Sequence, residues 1–269
     1  MGSTSTTLIS MFLRFSLNMF LRIHVLCLNH GVKMQVQEQL YEDYWRCGGH
    51  TIGYCVFLKQ DILRREVKSG CSVLDVGCGD GFTASVIASS CQVTGVDVSE
   101  TALHKAEENG LKTIKFNLDD GLPEVNQKHD VVLLLDVLEH VHNPEKLLDA
   151  ALSKLSENGI IIVSVPNTMN LLTRLFFLFG RYVDLTDISH KGGKLFSEHL
   201  HIFSKKKLEE LLSSRKLQIE KRFYYFPKKF NEKSYIKLQL VGDLVYKTKL
   251  YEILPSLFSL EFIYKCRSK

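Results

Sequence analysis

The residues best placed to do chemistry stand in one short run, S-V-L-D-V-G-C-G-D-G-F from Ser72 to Phe82. Gly77, Gly79 and Gly81 alternate there, which permits positive φ and lets backbone N–H groups approach a ligand closely. Glycine turns of this kind often serve dinucleotides, but the spacing here is G-x-G-x-G instead of G-x-G-x-x-G. Asp75 and Asp80 also lie in or beside the loop. A pyrophosphate needs N–H donors and a helix N-terminus, and nearby carboxylates repel it. A ligand carrying positive charge fits this electrostatic setting better. A further acid, Asp97, lies about 20 residues beyond the first loop glycine, the spacing at which a carboxylate accepts from two vicinal ribose hydroxyls.

S-adenosylmethionine is such a ligand, with a sulfonium, an ammonium and a single carboxylate. The sequence resembles the class I S-adenosylmethionine-dependent methyltransferases in four blocks that keep the order of that family. These are V-L-D-V-G-C-G-D-G at Val73 to Gly81, G-V-D-V-S at Gly95 to Ser99, D-V-L-E-H-V at Asp136 to Val141, and G-I-I-I-V-S-V-P-N at Gly159 to Asn167. The resemblance implies an α/β, doubly wound, Rossmann-like and mostly parallel seven-stranded sheet with an antiparallel final strand pair. It also implies a cofactor site built from Asp75, Gly77, Cys78, Gly79, Gly81, Asp97, Val98 and Asp136. Asn117 or Asp119 would pair with the adenine amino group, and Leu118 would pack on the ring; a plain Asx turn explains the same composition.

Methyl transfer from a sulfonium is an in-line displacement that depends mainly on proximity, orientation and exclusion of water. A hydroxyl acceptor must in addition lose its proton. His140, four residues after Asp136, is the first candidate for that base, an imidazole being suited to the task at neutral pH; holding its loop by a hydrogen bond is the alternative use. His199 and His201, in E-H-L-H-I-F, are the second choice. Their spacing puts both on one face of a strand, where they could also bind a metal, but no third ligand stands beside them and the reading assigns no metal. Arg174 and Arg181 have the fork geometry to clamp a carboxylate or phosphate. The N-P-P-Y type block associated with methylation of base amines is replaced by D-V-L-E. The resemblance implies a small-molecule acceptor, a hydroxyl of a quinone, lipid or glycan-type compound. An RNA methyltransferase and a non-catalytic cofactor-binding protein are the alternatives.

The elements that must position these groups follow from the hydrophobic pattern. Val73 to Val76 and Gln92 to Val98 read as strands, with a helix over Thr83 to Ser89 between them. Thr101 to Asn109 reads as a helix between Ser99 and Gly110, and Thr113 to Phe116 as a third strand. Val131 to Leu135 is continuously apolar and so is a central strand buried on both faces. Asn143-Pro144 opens a helix over Glu145 to Leu155, and Gly159 to Val165 is the fifth strand. An apolar insertion, Leu171 to Tyr182, sits where an acceptor lid is commonly built. Ser204 caps a helix over Lys205 to Ser213, and Leu217 to Phe226 and Ser259 to Lys265 resemble the closing antiparallel pair. Tyr41, Tyr44 and Trp45 read either as lid residues or as anchors of a leading helix, with Gly48-Gly49 as a break. The lysine-rich stretch Pro227 to Pro255 carries no clear pattern.

The 269-residue chain has a formal net charge of +4, too small to demand nucleic acid. Its seven cysteines include no C-x-x-C pair and read as reduced thiols of a cytoplasmic protein. The division by composition is an acid-free extension (1–33), a helical lid (34–72), a cofactor-binding core (73–167), an acceptor-lid insertion (168–203) and a closing segment (204–269). In the extension, Arg14, Asn18 and Arg22 form a polar stripe opposite Phe12, Phe15, Met19, Phe20 and Ile23. A basic amphipathic helix of this type can lie on an anionic membrane surface or act as a presequence, so peripheral membrane contact is assigned to it. Translation starting at Met34, or packing of the segment on the body, is the competing reading.

Overall fold

The computed structural model describes residues 30–48, 55–124, 127–180, 199–227 and 239–268, with the backbone alone at 30–37 and 239–241. The basic extension before residue 30, Gly49, Arg181, Tyr182 and Lys228-Lys229 lie outside the described residues. Two helices lead in, α1 (His30–Arg46) and α2 (Val56–Glu66). Since α1 runs through position 34, the expected boundary between extension and lid falls inside a helix.

The sheet follows, from β1 (Ser72–Val76), β2 (Gln92–Asp97), β3 (Lys112–Lys115), β4 (His129–Leu135), β5 (Leu155–Pro166), β6 (Leu217–Tyr225) and β7 (Glu261–Ser268). Their order is β3-β2-β1-β4-β5-β7-β6. The first five pair in parallel, and β7 runs antiparallel to both β5 and β6. The expected architecture is therefore observed. Strand register explains the two-sided core. Alternate residues of the central strands enter opposite faces: Leu74, Val132, Leu134 and Ile161 on one, Val73, Val131, Leu133 and Ile162 on the other. A parallel sheet covered on both sides needs such continuous apolar runs.

Helix α3 (Ser85–Ala88) is one turn, shorter than the expected Thr83 to Ser89, because the glycine loop spends the preceding residues on turns. Helix α4 (Glu100–Glu108) starts at Ser99, whose Oγ accepts from Ala102 N–H. Helix α5 (Pro144–Ser153) has Asn143 as its cap, and α7 (Lys205–Ser214) has Ser204. Between them α6 (Leu171–Leu178) starts at Asn170, which accepts from Thr173 N–H. The stretch without clear pattern contains α8 (Gln239–Lys247) and α9 (Leu250–Ile253), and α10 (Pro255–Phe258) begins at its last residue.

Candidate active site at the carboxyl ends of the central strands

The glycine loop is a tight fit by necessity. Gly77 and Gly81 both have φ +71°. A Cβ on Gly77 would lie 2.6 Å from Val137 Cγ2, and one on Gly81 would lie 3.0 Å from the Ala106 Cα. Cys78 is buried beneath the loop with its sulfur against Gly95, which explains a small side chain there; burial pushes its thiol well up, so it is packing and not a reactive thiolate. Asp80 serves the loop itself, accepting from Phe82 N–H at 3.1 Å.

Asp97 joins this loop to the next. Its Oδ2 accepts from Gly79 N–H at 2.9 Å and its Oδ1 from Ser99 N–H at 3.0 Å. Burial raises its carboxyl, opposed by these N–H donors. Val98, beside it, is half-buried. Asp75 lies under the loop, only 3% exposed, and burial followed by the Asp97 charge pushes its carboxyl up to about 7. The glycines and Asp97 thus line the crevice at the ends of β1 and β2, with Asp75 beneath them as a supporting group.

The turn after β3 realises the local reading. Asn117 accepts from Asp119 N–H at 3.0 Å, an Asx turn, and Leu118 packs against the core. Asp119 reaches instead to His142, accepting its N–H at 2.8 Å and lying 2.7 Å from its Nδ1. His142 was not picked out by sequence, since nothing local marks it.

At the end of β4 the chain turns through Asp136 at φ +56°, a conformation Asp tolerates better than most residues. Its carboxylate is held by the Lys59 ammonium and by Ser164, whose Oγ donates at 2.7 Å. Lys59, on α2 and 6% exposed, also lies 2.8 Å from Glu261 at the start of β7. The Lys59 charge holds Asp136 below the usual carboxylate range against burial, whereas burial and the Asp136 charge push Glu261 up to about 7. Asp136, expected to bind cofactor, is thus held by the buried Lys59 ammonium and a hydroxyl while its own side chain stays 41% exposed. Charged side chains are ordinarily solvated, whether on an amphipathic helix as Lys59 or at a strand end as Glu261, so neither gives a sequence signal.

Three residues later, Glu139 is 1% exposed and neither carboxylate oxygen has a hydrogen-bond partner. Burial, with Asp136 nearby, pushes its carboxyl well above the usual range. Its backbone carbonyl accepts from Leu200 and His201 N–H, which brings the histidine segment to this loop. The His140 and His199 rings are 4.9 Å apart. Residues 199–203 do not form a strand, which corrects the expectation that His199 and His201 share a strand face. Only His199 joins His140; His201 Nε2 lies 3.2 Å from the His142 carbonyl oxygen. Glu139, His140 and His199 place one donor atom each within 4.8 Å of one another. That set could hold a cation, and it supplies the further donors the sequence reading lacked. Arg174 is exposed and donates to the Met169 carbonyl at 2.7 Å.

Comparison with known proteins gives a consistent family. A family model described as a methyltransferase domain matches residues 50–221. The ubiquinone biosynthesis O-methyltransferase of Rickettsia canadensis is 35% identical over 161 residues, covering 54% of this chain and 67% of the relative. Its counterpart in Rickettsia prowazekii is 31% identical over 159 residues, covering 53% and 60%. The chain thus spans about two thirds or less of these relatives. Solved structures share the fold: a magnesium protoporphyrin IX methyltransferase from Synechocystis with bound S-adenosylhomocysteine (TM-score 0.51, 16% identity, covering 90% of this chain and 88% of that one) and the N-methyltransferase NodS of Bradyrhizobium japonicum, also with S-adenosylhomocysteine (0.52, 12%, 87% and 97%). The [4+2]-cyclase SpnF shares it too (0.53, 18%, 79% and 80%), so the architecture alone does not specify the reaction.

Proposed function

This chain belongs to the methyltransferase-domain family of class I, S-adenosylmethionine-dependent enzymes, and on that premise we propose that it methylates a hydroxyl of a small-molecule acceptor of quinone, lipid or glycan type. The observation that carries the reading is the meeting of His140, His199 and the buried Glu139 at the end of β4. A neutral amine can accept a methyl group without a base, whereas a hydroxyl requires proton removal.

The residues present suit the cofactor. The positive-φ glycines of the loop, with the Asp97 carboxylate bonded to Gly79 N–H, have the backbone form and the sign of charge for a ribose-bearing cation. S-adenosylmethionine, when bound there, supplies an electrophilic methyl group. Asp97 would accept from the ribose hydroxyls, and the turn at Asn117, Leu118 and Asp119 would border the base. His140 would take the acceptor proton. Glu139, buried beside it, lies 3.9 Å from the His140 Nε2.

The acceptor side is apolar where it is exposed. Leu175, Phe177, Leu178 and Phe179 lie exposed at the end of α6. Such a surface favours an apolar acceptor over RNA, which calls for a basic groove with stacking aromatics. Among the described residues no helix is long and apolar enough to cross a membrane. The same apolar end supports peripheral contact with a lipid surface.

Calorimetric titration with S-adenosylhomocysteine tests the cofactor reading. Micromolar binding, roughly −8 kcal/mol, is expected, with Asp97→Ala weakening it at least tenfold. A folded protein that binds nothing defeats the reading. His140→Asn is then expected to lower turnover of a hydroxylated acceptor about 100-fold with cofactor affinity unchanged; unaltered turnover removes His140 as the base.

A further inference from the structure

Helix α1 makes two contacts that diverge from adjacent residues. On one side Glu42 accepts from Ser99 Oγ at 2.7 Å, from Thr101 Oγ1 at 2.5 Å and from Thr101 N–H at 3.3 Å. On the other, the Tyr41 ring meets the His140 ring edge-on, with centroids 6.5 Å apart. Ser99 and Thr101 follow β2, whereas His140 follows β4, and β1 with its glycine loop lies between those strands. At about 4.8 Å per strand, the two anchor points are separated by roughly 10 Å. A helix touching both must cross above the ends of β1.

The Glu42 anchor is connected to the crevice through one residue. Ser99 donates its backbone N–H to Asp97 and its hydroxyl to Glu42. Hydrogen bonds from Thr101 and Ser99 overcome burial and hold the Glu42 carboxyl down at about 2, so the anchor stays charged throughout the physiological range. Its placement at the start of α4 adds a favourable interaction with that helix's positive end. Nearby, Trp45 is buried with Lys105 over its ring at 5.3 Å, and Glu38 lies 2.8 Å from Lys115. Both of these contacts fall on the same side as Glu42. On the β4 side the Tyr41 ring meets His140.

We propose that Glu42 is a positioning residue that latches α1 across the cofactor crevice, so that its bonds to Ser99 and Thr101 set how slowly cofactor leaves and hold Tyr41 against His140. The latch rests on the cofactor reading given above, because the ligand it retains is the one held by Asp97. Its energetic basis is a carboxylate that accepts from two hydroxyls and one N–H, each bond charge-assisted, with the Arg46 guanidinium of the same helix 3.1 Å away. Breaking one such bond speeds ligand release without slowing encounter, since the open crevice is reached equally well.

The test compares full-length wild type with Glu42→Gln and Thr101→Val, separately and combined. S-adenosylhomocysteine association and dissociation are followed by stopped-flow fluorescence, and amide exchange of α1 by mass spectrometry. Each single variant should release ligand about tenfold faster at an unchanged association rate, with faster exchange over residues 38–46. The double variant should resemble the single ones, because both remove the same contact. Thr101→Ser, which keeps the hydroxyl, should behave as wild type. Release unchanged in Glu42→Gln, with wild type binding normally, overturns the latch and leaves the cofactor site standing. Effects that simply add in the double variant also overturn it, since they show independent structural damage. Failure of wild type to bind S-adenosylhomocysteine overturns the cofactor reading and the latch together.

Discussion

The two halves of the crevice are built by different means. On the β1 and β2 side, the groups that shape the site lie close in sequence: glycine N–H donors, the Asp97 carboxylate and the Ser99 cap. On the β4 side, the groups come from four distant parts of the chain, Lys59 on α2, Asp136 and Glu139 after β4, His199 after the insertion and Glu261 on β7. Backbone geometry carries the first half, and buried charge carries the second. A backbone cradle depends on residues that fit one turn, and its energetics are local. Buried charge is stable only when every partner is present, because an unmatched ion in a low-dielectric interior costs several kcal/mol. The cofactor half should therefore tolerate change elsewhere, while the acceptor half should fail as a unit.

Lys59→Ala probes that contrast most directly. Asp136, whose side chain is 41% exposed, loses its partner but stays partly solvated, so unfolding free energy should fall by about 2–3 kcal/mol, measured by urea denaturation. Lys59→Met combined with Asp136→Asn removes both charges and should recover most of the loss. If the halves are independent, S-adenosylhomocysteine affinity in this double variant stays within a few-fold of wild type; a collapse of affinity breaks the comparison.

Gly81→Ala attacks the other half. The new methyl would meet the Ala106 backbone at 3.0 Å in a φ +71° conformation. A cost of about 2–4 kcal/mol is expected, with cofactor binding lost and the urea midpoint lowered. Retained affinity at reduced stability would show that the loop is less closely fitted than its geometry indicates.

The smallest effect is on pH dependence. Asp75 and Glu261 have carboxyls raised to about 7 in the folded protein. Groups whose folded pKa is raised add stability that is complete below their unfolded values and is lost as pH rises through the folded ones. Stability should therefore decline between about pH 4.5 and 7.5. Glu261→Gln should flatten this decline by on the order of 2 kcal/mol, as read from urea midpoints across that range. An unchanged slope would assign the titration to Asp75, and so to the cofactor half.

Much of this was legible in the sequence. Helix starts at Ser99, Asn143 and Ser204 were marked by their capping side chains, and each accepts the expected backbone bond. Continuous apolar runs marked the central strands. Trp45 proved to be an anchor and Tyr41 the residue facing the site, so the two readings of that aromatic cluster divide between its members. His201 was misjudged because i, i+2 alternation holds only in a strand, and residues 199–203 do not form one. Lys59, His142 and Glu261 left no trace, since burial and pairing of a charged side chain depend on neighbours far away in the chain.

The sequence by itself determined the strand order's raw materials, the glycine cradle and its acid, and the family. Those features rest on local backbone preferences and on side-chain periodicity, which act between near neighbours. Only the tertiary structure decided which histidine faces His140, which lysine neutralises Asp136, and that Glu42 reaches across to Ser99 and Thr101. Each of those pairings joins residues many positions apart, and it exists only because packing of the sheet brings the carboxyl ends of β2 and β4, the amino end of the antiparallel β7 and the leading helices to the same crevice.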